Sequence, residues 1–200
     1  MQPSYWHLKC ATRNLQLGGV IAYPTEAVWG LGCDPWDEAA VERILRLKQR
    51  PEHKGLILVA SHWSQFQPLV EALSSEHIKL LSQSWPGTTT WLLPDPQGWV
   101  PPWIKGAHPS VALRVSAHPI VQALCVGFGG PIVSTSANLA GRRPATSRLH
   151  IERSFGGKGS KGKGGKGRYK LDYILNGSLG QSKHPSQVKD LITGRVIRPA

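Results

Sequence analysis

Cysteine is scarce in this chain of 200 residues, and the little there is argues against several chemistries. Cys10, Cys33 and Cys125 are odd in number, far apart and without any CxxC or Cys/His spacing. A zinc site or a disulfide framework is therefore not expected, nor is haem or flavin, and reduced thiols in a cytoplasm are the simplest account. Long apolar runs are also missing. No segment approaches the roughly 18 apolar residues of a membrane span. The start, Met1 to His7, lacks the basic region and apolar stretch of a secretory signal. Acidic residues are few, 12 against 24 Lys and Arg, which leaves a net charge of +12. So basic a chain points to an anionic partner such as nucleic acid, nucleotide or a membrane surface.

What is present suits one folded domain over residues 1–200, with 40% hydrophobic residues to build a core. The charge is unevenly spread. Residues 157–170 read GKGSKGKGGKGRYK, so Lys158, Lys161, Lys163, Lys166, Arg168 and Lys170 supply six of the twelve net charges. Glycine at nearly every other position disfavours helix and strand, and the stretch reads as a flexible polycationic loop insert. It is either a salt-sensitive tether for a phosphate backbone or a solvated loop that aids solubility. Gly157 to Lys163 matches GxxxxGK, but Gly164 stands where a P-loop needs Ser or Thr, and no clear strand precedes it.

The remaining chain alternates apolar runs with helical patterns, as an α/β domain does. Strands are expected at 20–23, 56–59, 90–93, 111–115 and 132–133. A helix capped by Asp37 is expected to run to about Gln49, with Val41, Ile44, Leu45 and Lys48 on one face and Pro51 stopping it. Further helices are expected near 4–17, 63–72, 75–84, 119–128 and 146–155.

Polar clusters sit where these elements end. Ser134-Thr135-Ser136-Ala137-Asn138 places four hydrogen-bonding side chains in five residues after an apolar strand. Such groups need partners once desolvated, from a ligand or from a capping turn. At Tyr23-Pro24-Thr25-Glu26-Ala27-Val28-Trp29-Gly30-Leu31-Gly32 a strand breaks at Pro24, and two glycines permit close backbone approach. The alternatives there are a binding loop or a tight turn with Glu26 in water. Lys48 and Arg50, two residues apart at a helix exit, are either a phosphate clamp or an exposed charged end. Trp85-Pro86-Gly87-Thr88-Thr89-Thr90 and the Pro185-Ser186 to Arg198 stretch are equally open.

In this order the clusters, with Lys54-Gly55-Leu56-Ile57-Leu58 and Val111-Ala112-Leu113-Arg114-Val115 plus His118-Pro119, resemble the YrdC/TsaC family of threonylcarbamoyl-adenylate synthases. The resemblance covers nearly the whole chain outside the Lys/Gly insert and is closest to the short bacterial form. It implies an open, twisted mixed α/β sheet flanked by helices, with a basic concave cleft. It implies further that L-threonine, bicarbonate and ATP give threonylcarbamoyl-AMP and pyrophosphate. That product feeds a transferase complex modifying the adenosine beside the tRNA anticodon. No protein nucleophile is needed, because a carbamate oxygen attacks the α-phosphate. By the same resemblance Lys48, Arg50 and Arg198 clamp the triphosphate, with magnesium carried by ATP and no protein ligand to the metal. Ser110, Ser136 and Asn138 contact the nucleotide, and Thr25, Arg114, Ser134 and Ser186 contact threonine. The chain departs from longer relatives at Lys54-Gly55, where they have Asn-Pro, and at Val59, where they have histidine. It also has Ala140-Gly141 for Ser-Gly and Pro199-Ala200 for Pro-Gly. The competing reading is a noncatalytic RNA-binding or ribosome-maturation factor. Against it, a pure backbone binder needs spread Lys and Arg rather than Thr, Ser and Asn clustered at strand ends.

Overall fold

The structure, a computed structural model, describes residues 2–155, 170–182 and 184–199. Most of the Lys/Gly insert, including Lys158, Lys161, Lys163, Lys166 and Arg168, lies outside them. The elements run α1 (Tyr5–Gln16), β1 (Ile21–Pro24), β2 (Trp29–Gly32), α2 (Glu38–Lys48), β3 (Ile57–Ala60), α3 (Gln67–Val70), α4 (Ser75–Ser84) and β4 (Thr89–Pro94). They continue as α5 (Pro102–Lys105), β5 (Ser110–Val115), α6 (Pro119–Phe128), β6 (Ile132–Ser136), α7 (Arg148–Phe155), β7 (Tyr173–Ile174), β8 (Gln187–Asp190) and β9 (Val196–Arg198). The strands form one mixed sheet in the order β7-β1-β2-β6-β3-β5-β4-β8-β9.

Several elements follow from local chemistry. Asp37 caps α2 by accepting from Ala40 N, and Ser74 caps α4 by accepting from His77 N. Helix α6 opens on Pro119, whose missing N–H costs nothing in a first turn, and ends at Gly129 with a left-handed φ of 89°. The single helix expected over 63–72 is instead a 3₁₀ turn, Trp63–Phe66, followed by the one-turn α3. Strand β6 was expected to end at Val133 but continues through Ser136, because β2 supplies partners at Gly30↔Ser136 and Leu31↔Thr135.

Strand β2 stands where a glycine-bearing loop was expected. Trp29 and Leu31 face the core, while Gly30 and Gly32 lie on the opposite face beneath the Tyr23 ring. A Cβ on Gly32 would come within 2.6 Å of Val133 O and 2.8 Å of that ring, so a side chain is excluded there. These glycines accommodate a flat aromatic ring, and they do not mark a turn.

The two sheet faces are covered unequally. On one face α2, α5 and α7 bury Val41, Ile44, Ile104, Ile151 and Phe155 against Leu58, Leu113, Val133 and Leu93. On the other, α1 and α6 bury Ala11, Leu15, Ile120, Val121 and Leu124 against Ile21, Tyr23, Val59 and Ile132. Alternation carries this second face onward from Ile132 to Ser134 and Ser136, and from Val59 to Ile57, paired with Ser134 and Ala112. Neither α1 nor α6 supplies side chains over those positions, and that uncovered part of the sheet floors the cleft.

Candidate active site

A cavity of about 310 Å³ opens on the uncovered sheet. Its walls come from the turn 25–28 and the start of β2, Arg50 after α2, the 56–57 entry to β3, Thr88 before β4, Arg114 of β5, the end of β6, Pro144, and the segments 184–186 and 198–199. Thr25, Arg50, Arg114, Ser134, Ser136, Ser186 and Arg198, seven residues from six places in the sequence, therefore converge on one cavity.

Three guanidiniums dominate its electrostatics. Arg50 donates from Nε and Nη2 to Gly55 O at 3.2 and 2.9 Å, and from Nη2 to Lys54 O at 3.2 Å. Arg198 donates from Nη2 to Ser186 O at 2.7 Å and to Ser186 Oγ at 3.2 Å. Ser186 is held from below by Thr90, whose hydroxyl donates to Ser186 Oγ at 3.0 Å. Burial and then Arg198 lower the Arg50 pKa, and burial and then Arg114 lower that of Arg198. Like charges so placed repel one another until an anion arrives. One carboxylate, Glu26, faces them among the described lining residues. Its Oε2 accepts from Arg114 Nη1 at 3.0 Å and its Oε1 from the Ser116 hydroxyl at 2.5 Å.

Lys48 and Arg50 are not a side-by-side clamp. Gln49 between them adopts a left-handed φ of 52°, which turns the chain at the end of α2. Arg50 goes to the cavity. Lys48 Nζ is buried and donates to Asn138 O at 2.9 Å, to Asn138 Oδ1 at 3.4 Å and to Ser136 O. Its pKa is pushed down to about 8 by burial first and then by Arg50. Asn138 also lies off the cavity. Its amide donates to Leu139 O and Arg142 O at 2.8 and 2.9 Å, and its Oδ1 accepts from the Ser136 hydroxyl at 2.5 Å. Ser110 sits beyond the cavity at the start of β5, opposite Pro94. Lys170, the one described cation of the insert, is exposed, and its carbonyl accepts from Arg43.

A family model for Sua5, YciO and YrdC, described as telomere recombination, matches residues 13–200. The chain belongs to this family. A Pseudomonas paraeruginosa protein named threonylcarbamoyl-AMP synthase is 50% identical over 197 residues, 98% of this chain and 99% of that one. A Stutzerimonas stutzeri protein of the same name is 51% identical over 195 residues, 98% of each. Among solved structures, P. abyssi Sua5 complexed with L-threonine superimposes with a TM-score of 0.82 at 32% identity, covering 94% of this chain. The present chain spans about half of that longer protein, 52%. E. coli YciO gives a TM-score of 0.80 at 27% identity, covering 99% of this chain and 92% of that one. The mixed open sheet with flanking helices is thus the Sua5/YciO/YrdC fold.

Several residues of this cavity and its surroundings had no role in the sequence-based expectations. Glu26 stood in the 23–32 cluster but received no role, and Ser116, His118, Thr88 and His184 were not singled out as site residues. Ser116 is fully buried, and His118 donates its backbone N–H to Ser116 Oγ at 3.1 Å. Burial lowers the His118 pKa, with Glu26 acting in the opposite direction. One signal was available: a hydroxyl two residues after Arg114, just past the end of β5, sits where a strand delivers side chains to a site.

Proposed function

We propose that this chain makes threonylcarbamoyl-AMP from L-threonine, bicarbonate and ATP, releasing pyrophosphate and water. The observation that carries the reading is the convergence of Arg50, Arg114 and Arg198 on one cavity floored by Ser134 and Ser136, with a single carboxylate among its lining residues. Such a site suits a triphosphate and an amino-acid carboxylate held together. The names of the full-length relatives and the threonine complex of the Sua5 structure support the same reading.

In this reading Arg50 and Arg198 hold the triphosphate and stabilise charge on departing pyrophosphate, and Ser136 contacts the nucleotide. Arg114 takes the threonine carboxylate beside Thr25, Ser134 and Ser186. The threonine amine and bicarbonate give a carbamate and water. A carbamate oxygen then attacks the α-phosphorus, and the bond to the β-phosphate oxygen breaks. The protein supplies position and charge, and no residue becomes covalently attached. Lys48 and Asn138 take part from behind, fixing the 136–138 turn that carries the Ser136 hydroxyl. Among the described residues no group of three or more His, Cys, Asp and Glu could hold a metal. Both Glu26 oxygens are engaged by protein donors. This donor set suits magnesium that arrives on the triphosphate oxygens as part of the substrate.

The product passes to a threonylcarbamoyl transferase complex for tRNA modification. The cations at 158–170 serve tRNA through salt-sensitive phosphate contacts. Among the described residues no helix is long and apolar enough to cross a membrane. Three free cysteines, two of them buried, suit work in a reducing cytoplasm. The test is pyrophosphate release with ATP, magnesium and bicarbonate, with and without L-threonine and with L-serine as control. Threonine-dependent release is expected. A folded protein that releases none overturns the reading and brings forward the RNA-binding alternative.

A further inference from the structure

Glu26 works against the chemistry of its surroundings. A carboxylate 8% exposed, lining a cavity suited to anions, repels both a substrate carboxylate and a triphosphate. Its contacts identify what offsets that cost. Ser116 Oγ already accepts from His118 N at 3.1 Å, so its hydroxyl proton is free to go to Glu26 Oε1, 2.5 Å away. The Glu26 backbone is held as well, with Ser182 N donating to Glu26 O at 3.1 Å and Gly180 N to Thr25 O at 3.0 Å. The carboxylate is therefore fixed before it meets Arg114. Its other oxygen takes Arg114 Nη1 at 3.0 Å. Arg114 Nε is buried and has no hydrogen-bond partner among the described residues. With Nη1 committed to Glu26 and Nε buried out of reach, Nη2 is the donor left to meet a carboxylate in the cavity that Arg114 lines.

We propose that Glu26, held by Ser116, is a positioning residue that sets the Arg114 guanidinium so that its remaining donor, Nη2, presents to the carboxylate of the amino-acid substrate. The proposal rests on the reading that Arg114 binds that carboxylate. It makes Glu26 a determinant of affinity for the amino acid and leaves ATP affinity to Arg50 and Arg198. Glutamine at position 26 keeps the size and one acceptor but loses the charge that holds a planar cation in a single orientation.

The experiment measures KM for L-threonine and for ATP by pyrophosphate release, and threonine binding by calorimetry. The variants are Glu26→Gln, Ser116→Ala, Arg114→Ala and the double variant Glu26→Gln/Arg114→Ala. Loss of a charge-assisted contact predicts a rise in threonine KM of roughly ten- to hundredfold for Glu26→Gln. ATP KM is expected not to rise, since no contact to ATP is removed and the repulsion of its phosphates by Glu26 is relieved. Ser116→Ala moves the same constant in the same direction by less. In the Arg114→Ala background Glu26→Gln adds no further loss, because Glu26 acts through Arg114 alone. A wild-type threonine KM in Glu26→Gln, beside a raised one in Arg114→Ala, overturns the positioning role and leaves the carboxylate reading of Arg114 intact. A wild-type threonine KM in Arg114→Ala overturns the underlying reading itself. Equal rises in threonine and ATP KM for Glu26→Gln indicate general collapse of the pocket and also overturn the proposal. If Glu26→Gln does not fold, Ser116→Ala decides: a selective rise in threonine KM supports the role and an unchanged one refutes it.

Discussion

Arg50 offers the cleanest perturbation of the triphosphate side, because its protein contacts and its proposed ligand contacts can be separated. Replacing it with methionine removes donors to two backbone oxygens, Lys54 O and Gly55 O, on a turn at the cavity edge. At about 1 kcal/mol for each acceptor, this loss is partly offset by relief of repulsion from Arg198. Net destabilisation of about 1 kcal/mol in a chain of this size lowers the thermal midpoint by roughly 2 to 4 °C. Binding has no such compensation. A charge-assisted contact to phosphate contributes up to about 3 kcal/mol, so kcat/KM for ATP falls roughly a hundredfold. Lysine restores charge without the planar fork and is expected to recover only part of the loss. Steady-state pyrophosphate release at saturating threonine, beside a thermal melt of each variant, makes the measurement. Arg50→Met with wild-type kcat/KM for ATP refutes the role. So does a variant whose threonine requirement rises while its ATP requirement does not.

Two further outcomes follow from buried contacts. Lys48 is lowered from its ordinary 10.5 to about 8. Between those values the native state has lost a proton that the unfolded state keeps, so stability from this group rises with pH across that window. Denaturant titrations should show wild type gaining on Lys48→Met from about pH 8 to 10.5, by at most about 3 kcal/mol, and a flat difference refutes the depressed pKa. At Gly180 an added Cβ would lie 2.8 Å from Glu26 O and 2.9 Å from Glu26 Cα, both backbone atoms. Gly180→Ala is therefore expected to cost about 1 to 3 kcal/mol and to raise threonine KM by displacing Glu26; an unchanged melt and an unchanged KM exclude that contact.

The parts of the fold legible in the sequence are those where local and tertiary preferences agree. Helix α2 was readable within a residue at each end because Asp37 caps it, its apolar positions repeat at helical spacing and Pro51 follows. Strands β3 and β5 were readable because both faces are largely apolar. Strand β2 was not, because Gly30 and Gly32 serve a ring seven and nine residues earlier in the chain, and locally they look like a turn. Strands β7, β8 and β9 are two to four residues long and exist through their partners β1 and β4 and through one another, which no local pattern reveals. Helix α5, a single turn that begins at the second of two prolines, is equally invisible to periodicity.

The site divides along the same line. The family resemblance carried the expectation that Thr25, Arg50, Arg114, Ser134, Ser136, Ser186 and Arg198 belong together, whereas the residue types alone left each cluster open between a ligand and a turn. Direction was not carried. Lys48 and Arg50 share a motif, yet one left-handed residue between them sends one ammonium beneath the 136–138 turn and one guanidinium into the cavity. Glu26 is the sharper case. In the sequence it is an acid in a loop, for which water is the ordinary partner. Only the assembly of the sheet brings it to Arg114 and Ser116, 88 and 90 residues away. A single negative charge in a basic cleft then has a physical use that composition argues against: it fixes the orientation of a cation whose charge alone would leave its planar donors undirected.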